Sequence, residues 1–125
     1  MKFFKPHEFE CRCGKCGLGF DNMNPGLLSF LDQLRGRCGF PIHITSAIRC
    51  VDHNAFVGGG HNSAHLDGCA VDIAVDGLHD NYWRYELILN SMALGCQRIG
   101  IGDDFIHLDV ANDEHHPFPR MWVYI

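Results

Sequence analysis

SAHLDGCAVDI (residues 63–73) decides how this chain folds, and DFIHLDV (104–110) completes the reading. From Cys69 onward the apolar residues alternate as Cys69, Val71, Ile73 and Val75, the period of a strand with one face on a core. Asp72 then falls on the opposite face. In the second stretch Ile106, Leu108 and Val110 point one way, and Phe105, His107 and Asp109 the other. His65 precedes the first strand. Seven residues of straight helix would hold it about 10 Å from Asp72. Gly68 lies between them and lets the chain bend before the strand begins. Two strands would thus each offer one metal-binding side chain from the face that is not core, with His65 as the third donor.

Two imidazoles and one carboxylate suit a catalytic zinc ion, because three protein ligands leave the fourth position to water. A zinc-bound water has a pKa near neutrality, and the same ion polarises a peptide carbonyl. Hydrolysis also needs a base. Asp104 stands three residues before His107 at the start of the strand, so the turn at 102–104 must reorient it; Asp103 is the other candidate. Arg49 can anchor a substrate carboxylate through two parallel hydrogen bonds. Asp109 could orient a ligand imidazole from behind. Taken singly, an Arg is a surface ion-pair partner and two aspartates are an ordinary turn. His61, His115 and His116 either line the site or face solvent. His7, His43, His53 and His79 read as surface histidines, and Trp122 and Tyr124 most economically as core, although one aromatic could wall the cleft.

The nine histidines and seven cysteines are the unusual counts. Cys11, Cys13 and Cys16 cluster as CRCGKC, whereas Cys38, Cys50, Cys69 and Cys96 are dispersed. Three thiolates of a structural zinc site with Cys50 as the fourth is the first reading. The spacing is tighter than a CxxC knuckle. A disulfide is the second, disfavoured in a reducing compartment, and inert reduced thiols the third. Cys69, on the apolar face of its strand, reads as core.

At 125 residues the chain is expected to be one domain spanning 1–125, large enough to bury a real core. Its formal charge of −5, without a basic run, argues against a nucleic-acid partner. No stretch approaches a transmembrane span, and MKFFKPHEFE contains no apolar segment of signal-peptide length.

Asn24-Pro25 predicts a helix start, with Leu27, Leu28, Leu31 and Leu34 on one face and Gly39 and Pro41 as the stop. A short strand is expected over 42–46 and one or two helical turns over 51–57. Gly58-Gly59-Gly60 then forms a loop without the Lys-Ser/Thr of a phosphate cradle. A second helix runs over about 80–94, with Trp83, Leu87 and Leu94 inward. Strands follow near 98–101 and 105–110, a loop over 111–119, and a last strand over 121–125. The order argues for an α+β fold, with helices packed on one face of a small, largely antiparallel sheet.

PIHITSAIRC (41–50), HNAFVGGGHNSAHLDGCAVDI (53–73), IGIGDDFIHLDV (99–110) and the terminal WVY (122–124) resemble the zinc D-Ala-D-Ala carboxypeptidase family, which shares its fold with the Hedgehog signalling domain. The likeness extends over most of the chain, including EFECRCGKCG and the MNPGLLSFLDQLR helix, and SxHxxGxAxD followed by HxD is its specific part. The resemblance implies zinc at His65, Asp72 and His107, the acid at Asp104, the substrate arginine at Arg49 and the motif serine at Ser63. Two departures stand out. Ser46-Ala47-Ile48-Arg49 replaces a common Ser-Gly-Tyr-Arg, losing a tyrosine contact to substrate, and Asp104 stands where some relatives carry Glu.

By the same resemblance the substrate is the peptide stem of peptidoglycan. It would be cut as a D-Ala-D-Ala carboxypeptidase does, or at L-Ala-D-Glu as an endopeptidase lysin does. The short chain suits a monomeric phage or prophage enzyme, made in the bacterial cytoplasm and reaching the wall after holin release or in a virion. The alternative is a non-catalytic, zinc-stabilised cell-wall-binding or virion-assembly module. Such a module would not need the acid at Asp104.

Overall fold

The computed structural model describes residues 1–75 and 80–124; His79 and Ile125, both included in the sequence reading, lie outside them. Helix α1 (Pro25–Cys38) starts as its sequence dictates. The Asn24 side chain accepts from the Leu27 N–H, Pro25 takes the first helical position, and Gly39 closes the helix at φ 73°. Leu27, Leu31 and Leu34, at helical spacing, are fully buried. α2 (Val51–Phe56) is short, and α3 (Asp80–Ala93) ends before Gly95 at φ 90°.

Five strands form one sheet: β1 (Ile44–Ser46), β2 (Ala70–Ala74), β3 (Arg98–Ile101), β4 (Phe105–Asp109) and β5 (Arg120–Val123). Their spatial order is β1-β2-β4-β3-β5. The first three pairings are antiparallel, and β3 with β5 is parallel. The fold is α+β, as expected, with a mixed sheet in which antiparallel pairs predominate.

The two faces of the sheet separate core from site. Val71, Ile73, Ile99, Ile106 and Leu108 are buried in one cluster with the leucines of α1 and with Leu87 of α3, and Trp83 of α3 stacks on Phe40 at 4.8 Å. Each such fully buried aliphatic side chain contributes about 1.5–3 kcal/mol. The opposite face carries a continuous row of cross-strand partners: Ser46, Asp72, His107, Gly100 and Trp122.

Several expectations shift. β1 begins at Ile44 instead of residue 42 and carries a bulge between Ile44 and Ser46, which re-aims the chain that leads to Arg49. Cys69 is half-buried against the small cluster of Ala64, Ala70 and Ala111, and is not part of the main core, because β2 begins only at Ala70. Trp122 and Tyr124 are not core either. β5 is an edge strand, and its site-facing aromatics are half-buried or exposed.

Candidate metal centre

Asp72 and His107 are directly opposed residues of β2 and β4, so the antiparallel register alone brings their side chains together. His65 reaches them from a short 3-10 turn, Ala64–Asp67, capped by Ser63, whose hydroxyl oxygen accepts from the His65 N–H. Gly68 ends that turn in the left-handed region at φ 69°, and its position against the Asn22 carbonyl leaves no room for a Cβ. The bend expected between the first two ligands is therefore there, and glycine is required for it.

The donor atoms of His65, Asp72 and His107 all lie within 4.8 Å of one another, and the three residues are 2%, 9% and 5% exposed. Their hydrogen bonds decide which ring nitrogens face the centre. His65 Nδ1–H donates to the Ala47 carbonyl at 2.7 Å, leaving Nε2 as a lone pair 3.2 Å from Asp72 Oδ1. His107 Nε2–H donates to Asp109 Oδ2 at 2.7 Å, leaving Nδ1 as a lone pair 3.0 Å from the same Oδ1. With neutral rings, three acceptors converge with no proton among them, which is the electronic description of a cation site. Two nitrogens and an oxygen are the donor set of zinc with an open position. The residues fit the metal.

A second layer supports the first. Asp109, 2% exposed, is held by Arg98 Nε at 2.6 Å and by the Ala111 N–H, and Arg98 also donates to the Pro117 carbonyl. The Arg98 guanidinium lies 4.9 Å over the Trp122 ring. Burial opposes charge on each of these carboxylates, but the neighbours win. Without a cation, protonated His107 and His65 rings donate to Asp72 and hold its carboxyl well below the usual range, and His107 with Arg98 lowers Asp109. Burial alone would lower the His107 imidazole; Asp109 and Asp72 raise it.

The centre opens into a cavity of about 280 Å³ lined in part by Arg49, Ser63, Phe105 and Tyr124. Arg49 is anchored three ways: Nε to Ser46 Oγ at 3.0 Å, Nη1 to Asn54 Oδ1 at 3.2 Å, and Nη2 to Asp72 Oδ2 at 3.2 Å. Trp122 and Tyr124 wall the cleft beside His107, with ring centroids 5.4 and 6.4 Å from the imidazole. Gly100 makes this possible, since a Cβ there would meet both aromatic side chains at 2.7 Å. His116, buried, ties the loop after β4 to the rim by bonding Asp113 and the Asn62 carbonyl, whereas His61 and His115 are exposed.

Asp103 and Asp104 are exposed at the β3–β4 turn, outside the lining of this cavity. The Asp104 main-chain carbonyl accepts from the Val75 N–H, and its carboxylate has no partner among the described residues. Arg98 and the Ala47 carbonyl were absent from the sequence reading. No local pattern marks either, because each acts through a partner far away in the chain.

The cysteines also meet. Cys11, Cys13, Cys16 and Cys50 place their sulfurs within 4.8 Å of one another, and all seven cysteines of the chain are free. The Lys15 N–H, with further bonds at that sulfur, holds the Cys13 thiol down to about 6. Against the pull of the Leu18 N–H, desolvation and the adjoining Cys13 and Cys11 sulfurs push Cys16 up to about 12.

No helix among the described residues is long and apolar enough to cross a membrane. No curated protein matches the chain. The sequence model of one family, described as Peptidase M15, matches residues 2–109 and so takes in His65, Asp72, His107 and all four clustered cysteines. On that match the chain belongs to the Peptidase M15 family, the zinc-dependent metallopeptidases.

Proposed function

We propose that this metallopeptidase hydrolyses a peptide bond in the stem of peptidoglycan, as a D-Ala-D-Ala carboxypeptidase or an L-Ala-D-Glu endopeptidase. The observation that carries the proposal is the convergence of His65 Nε2 and His107 Nδ1 on Asp72 Oδ1 at the floor of an open cleft that also presents Arg49. When bound, zinc supplies a Lewis acid that acidifies water and polarises the scissile carbonyl.

The chain's own groups do the rest. Ala47 and Asp109 fix the two imidazoles in the tautomers that turn a lone pair inward. Arg49 receives a substrate carboxylate, which competes with Asp72 for the guanidinium. The Ser63 oxygen is engaged by the His65 N–H, and its own proton is available to a substrate carbonyl. Trp122 and Tyr124 shield one side of the cleft from water. Asp104 takes the proton of the attacking water on a carboxylate oxygen and passes it to the leaving amine nitrogen. Its carboxylate must swing in from the turn to do so.

A chain of this kind acts as a monomer on the wall, encoded by a phage or prophage and delivered through a holin-opened membrane or in a virion. A second reading, a non-catalytic zinc-stabilised wall-binding or assembly module, draws on one observation: Asp104 lies outside the cavity lining. Asp104→Ala separates the two. The enzyme reading expects release of new amino groups from purified walls to fall by roughly 10²–10⁴ with zinc content unchanged. Wild-type protein that carries zinc, binds walls and releases no amines supports the module instead.

A further inference from the structure

We propose that Cys11, Cys13, Cys16 and Cys50 hold a second zinc ion as a closed tetrathiolate, a structural site that staples the N-terminal loop to the start of α2. The geometry meets the requirement. Tetrahedral zinc with metal–sulfur bonds of about 2.3 Å needs sulfurs about 3.8 Å apart, and these four sulfurs lie within 4.8 Å of one another.

Every one of the four sulfurs also accepts a backbone N–H. Lys15 and Cys16 donate to Cys13, Leu18 to Cys16, Cys50 to Cys11, and His53 to Cys50, all at 3.3–3.4 Å. Convergent N–H donors are what thiolates require, and they offset the surplus negative charge of a four-sulfur ligand set. Inert thiols behave otherwise: they bury singly among apolar side chains. Here Cys16 is exposed and Cys13 half-exposed, yet both turn toward Cys11 and Cys50. A single disulfide would leave two of the sulfurs without a role, and all four are free thiols converging on one point rather than joined in pairs.

The loop needs such a staple. No helix or strand occurs between residues 10 and 19, Gly14 and Gly17 turn it through left-handed conformations, and a cavity of about 490 Å³ lies within it. Cys50 comes from 39 residues downstream of Cys11, caps α2 and directly follows Arg49. Four sulfur ligands leave no position for substrate or water, so the role is to hold the loop.

The full chain, purified under reducing and oxygen-free conditions, tests this by metal analysis and by cobalt(II) replacement. Two equivalents are expected in the wild type, with a thiolate-to-cobalt charge-transfer band in the near ultraviolet. Asp72→Ala should keep one equivalent and the whole band. Cys13→Ser/Cys16→Ser should keep one equivalent, lose the band, and melt roughly 10 °C or more below wild type. If that variant does not fold, the wild-type cobalt spectrum decides alone. A wild-type chain without the band, with iron in place of zinc at the thiolates, or with a disulfide among the four cysteines overturns the proposal. Loss of the Asp72-dependent equivalent with the band intact would instead count against the catalytic reading.

Discussion

Two sets of donor atoms converge in this molecule by unlike means. His65, Asp72 and His107 meet on a sheet, where a strand pairing puts two of them opposite each other and a glycine bend returns the third. Cys11, Cys13, Cys16 and Cys50 meet in a loop that has no ladder to support it. The first set is nearly fully buried and buttressed by Asp109, Arg98 and the Ala47 carbonyl; the second is half open to solvent and buttressed by its own backbone N–H groups. A sheet can preorganise ligands before any metal arrives, so its site can keep a coordination position free for chemistry. On the proposed tetrathiolate, a bare loop would gain its order from the ion, which would use every coordination position.

Removing a sheet ligand should have the largest effect. Asp72→Ala takes away the carboxylate on which both imidazoles and Arg49 converge. Peptidase activity should fall at least roughly a thousandfold, the scale of a lost catalytic group, with one metal equivalent lost. Full activity in that variant would break the contrast, because the preorganised site would then not be the reactive one.

Gly68→Ala comes next. It forces an alanine into a left-handed conformation, at about 1–2 kcal/mol, and its methyl against the Asn22 carbonyl. Urea unfolding should show a loss of roughly 2–4 kcal/mol in all, and occupancy should fall at the histidine site. A drop in stability without a change in that occupancy would mean that the bend is not what delivers His65.

Asp109→Asn sharpens the comparison by removing only the buttress. The amide oxygen can still accept from His107 Nε2–H, but Arg98 loses its carboxylate partner. Metal affinity at the histidine site, read by competition with a chromophoric chelator, should weaken roughly 10–100-fold, with the cysteine site unaffected. Equal weakening at both sites would show that they are coupled.

The smallest effect concerns the other tether of the N-terminal segment. Burial would raise the Asp32 carboxyl, but the N–H groups of Lys2 and Phe3 bond it and bring it below its usual value. Its contribution is therefore present above the unfolded carboxylate pKa of about 3.9 and disappears as pH falls through the lower folded value. Asp32→Asn should cost under about 1 kcal/mol at neutral pH, since the group is solvent-screened. Urea midpoints of variant and wild type should approach each other below about pH 4. A constant difference across that range would show that the carboxylate charge is not what tethers the terminus.

The two regions also differ in how much of each the sequence disclosed. Alternation through Val71, Ile73 and Ile106, Leu108 showed which side chains share a face, and with it two of the three candidate ligands; Gly68 pointed to His65 as the third. Asn24-Pro25 and Gly39 marked the first helix at both ends for reasons local to those residues. For Trp122 and Tyr124 the core reading fails and its alternative, a wall of the cleft, holds for both; their own stretch cannot show that β5 is an edge strand or that Gly100 on β3 leaves room for them over the site. Periodicity is silent for the cysteine loop. Spacing suggested a cluster, and only the fold brings Cys50 to it.

Local order, the side chains each strand turns to one face, and the residue types able to bind metal were determined by the sequence itself, since they follow from backbone geometry over a few residues. The tertiary structure decided that Asp72 faces His107, that the Ala47 carbonyl and Asp109 choose the ring nitrogens turned inward, and that Cys50 completes a quartet begun 39 residues earlier. Register between strands and contacts across long loops depend on the packing of the whole core, and no window of sequence carries that information.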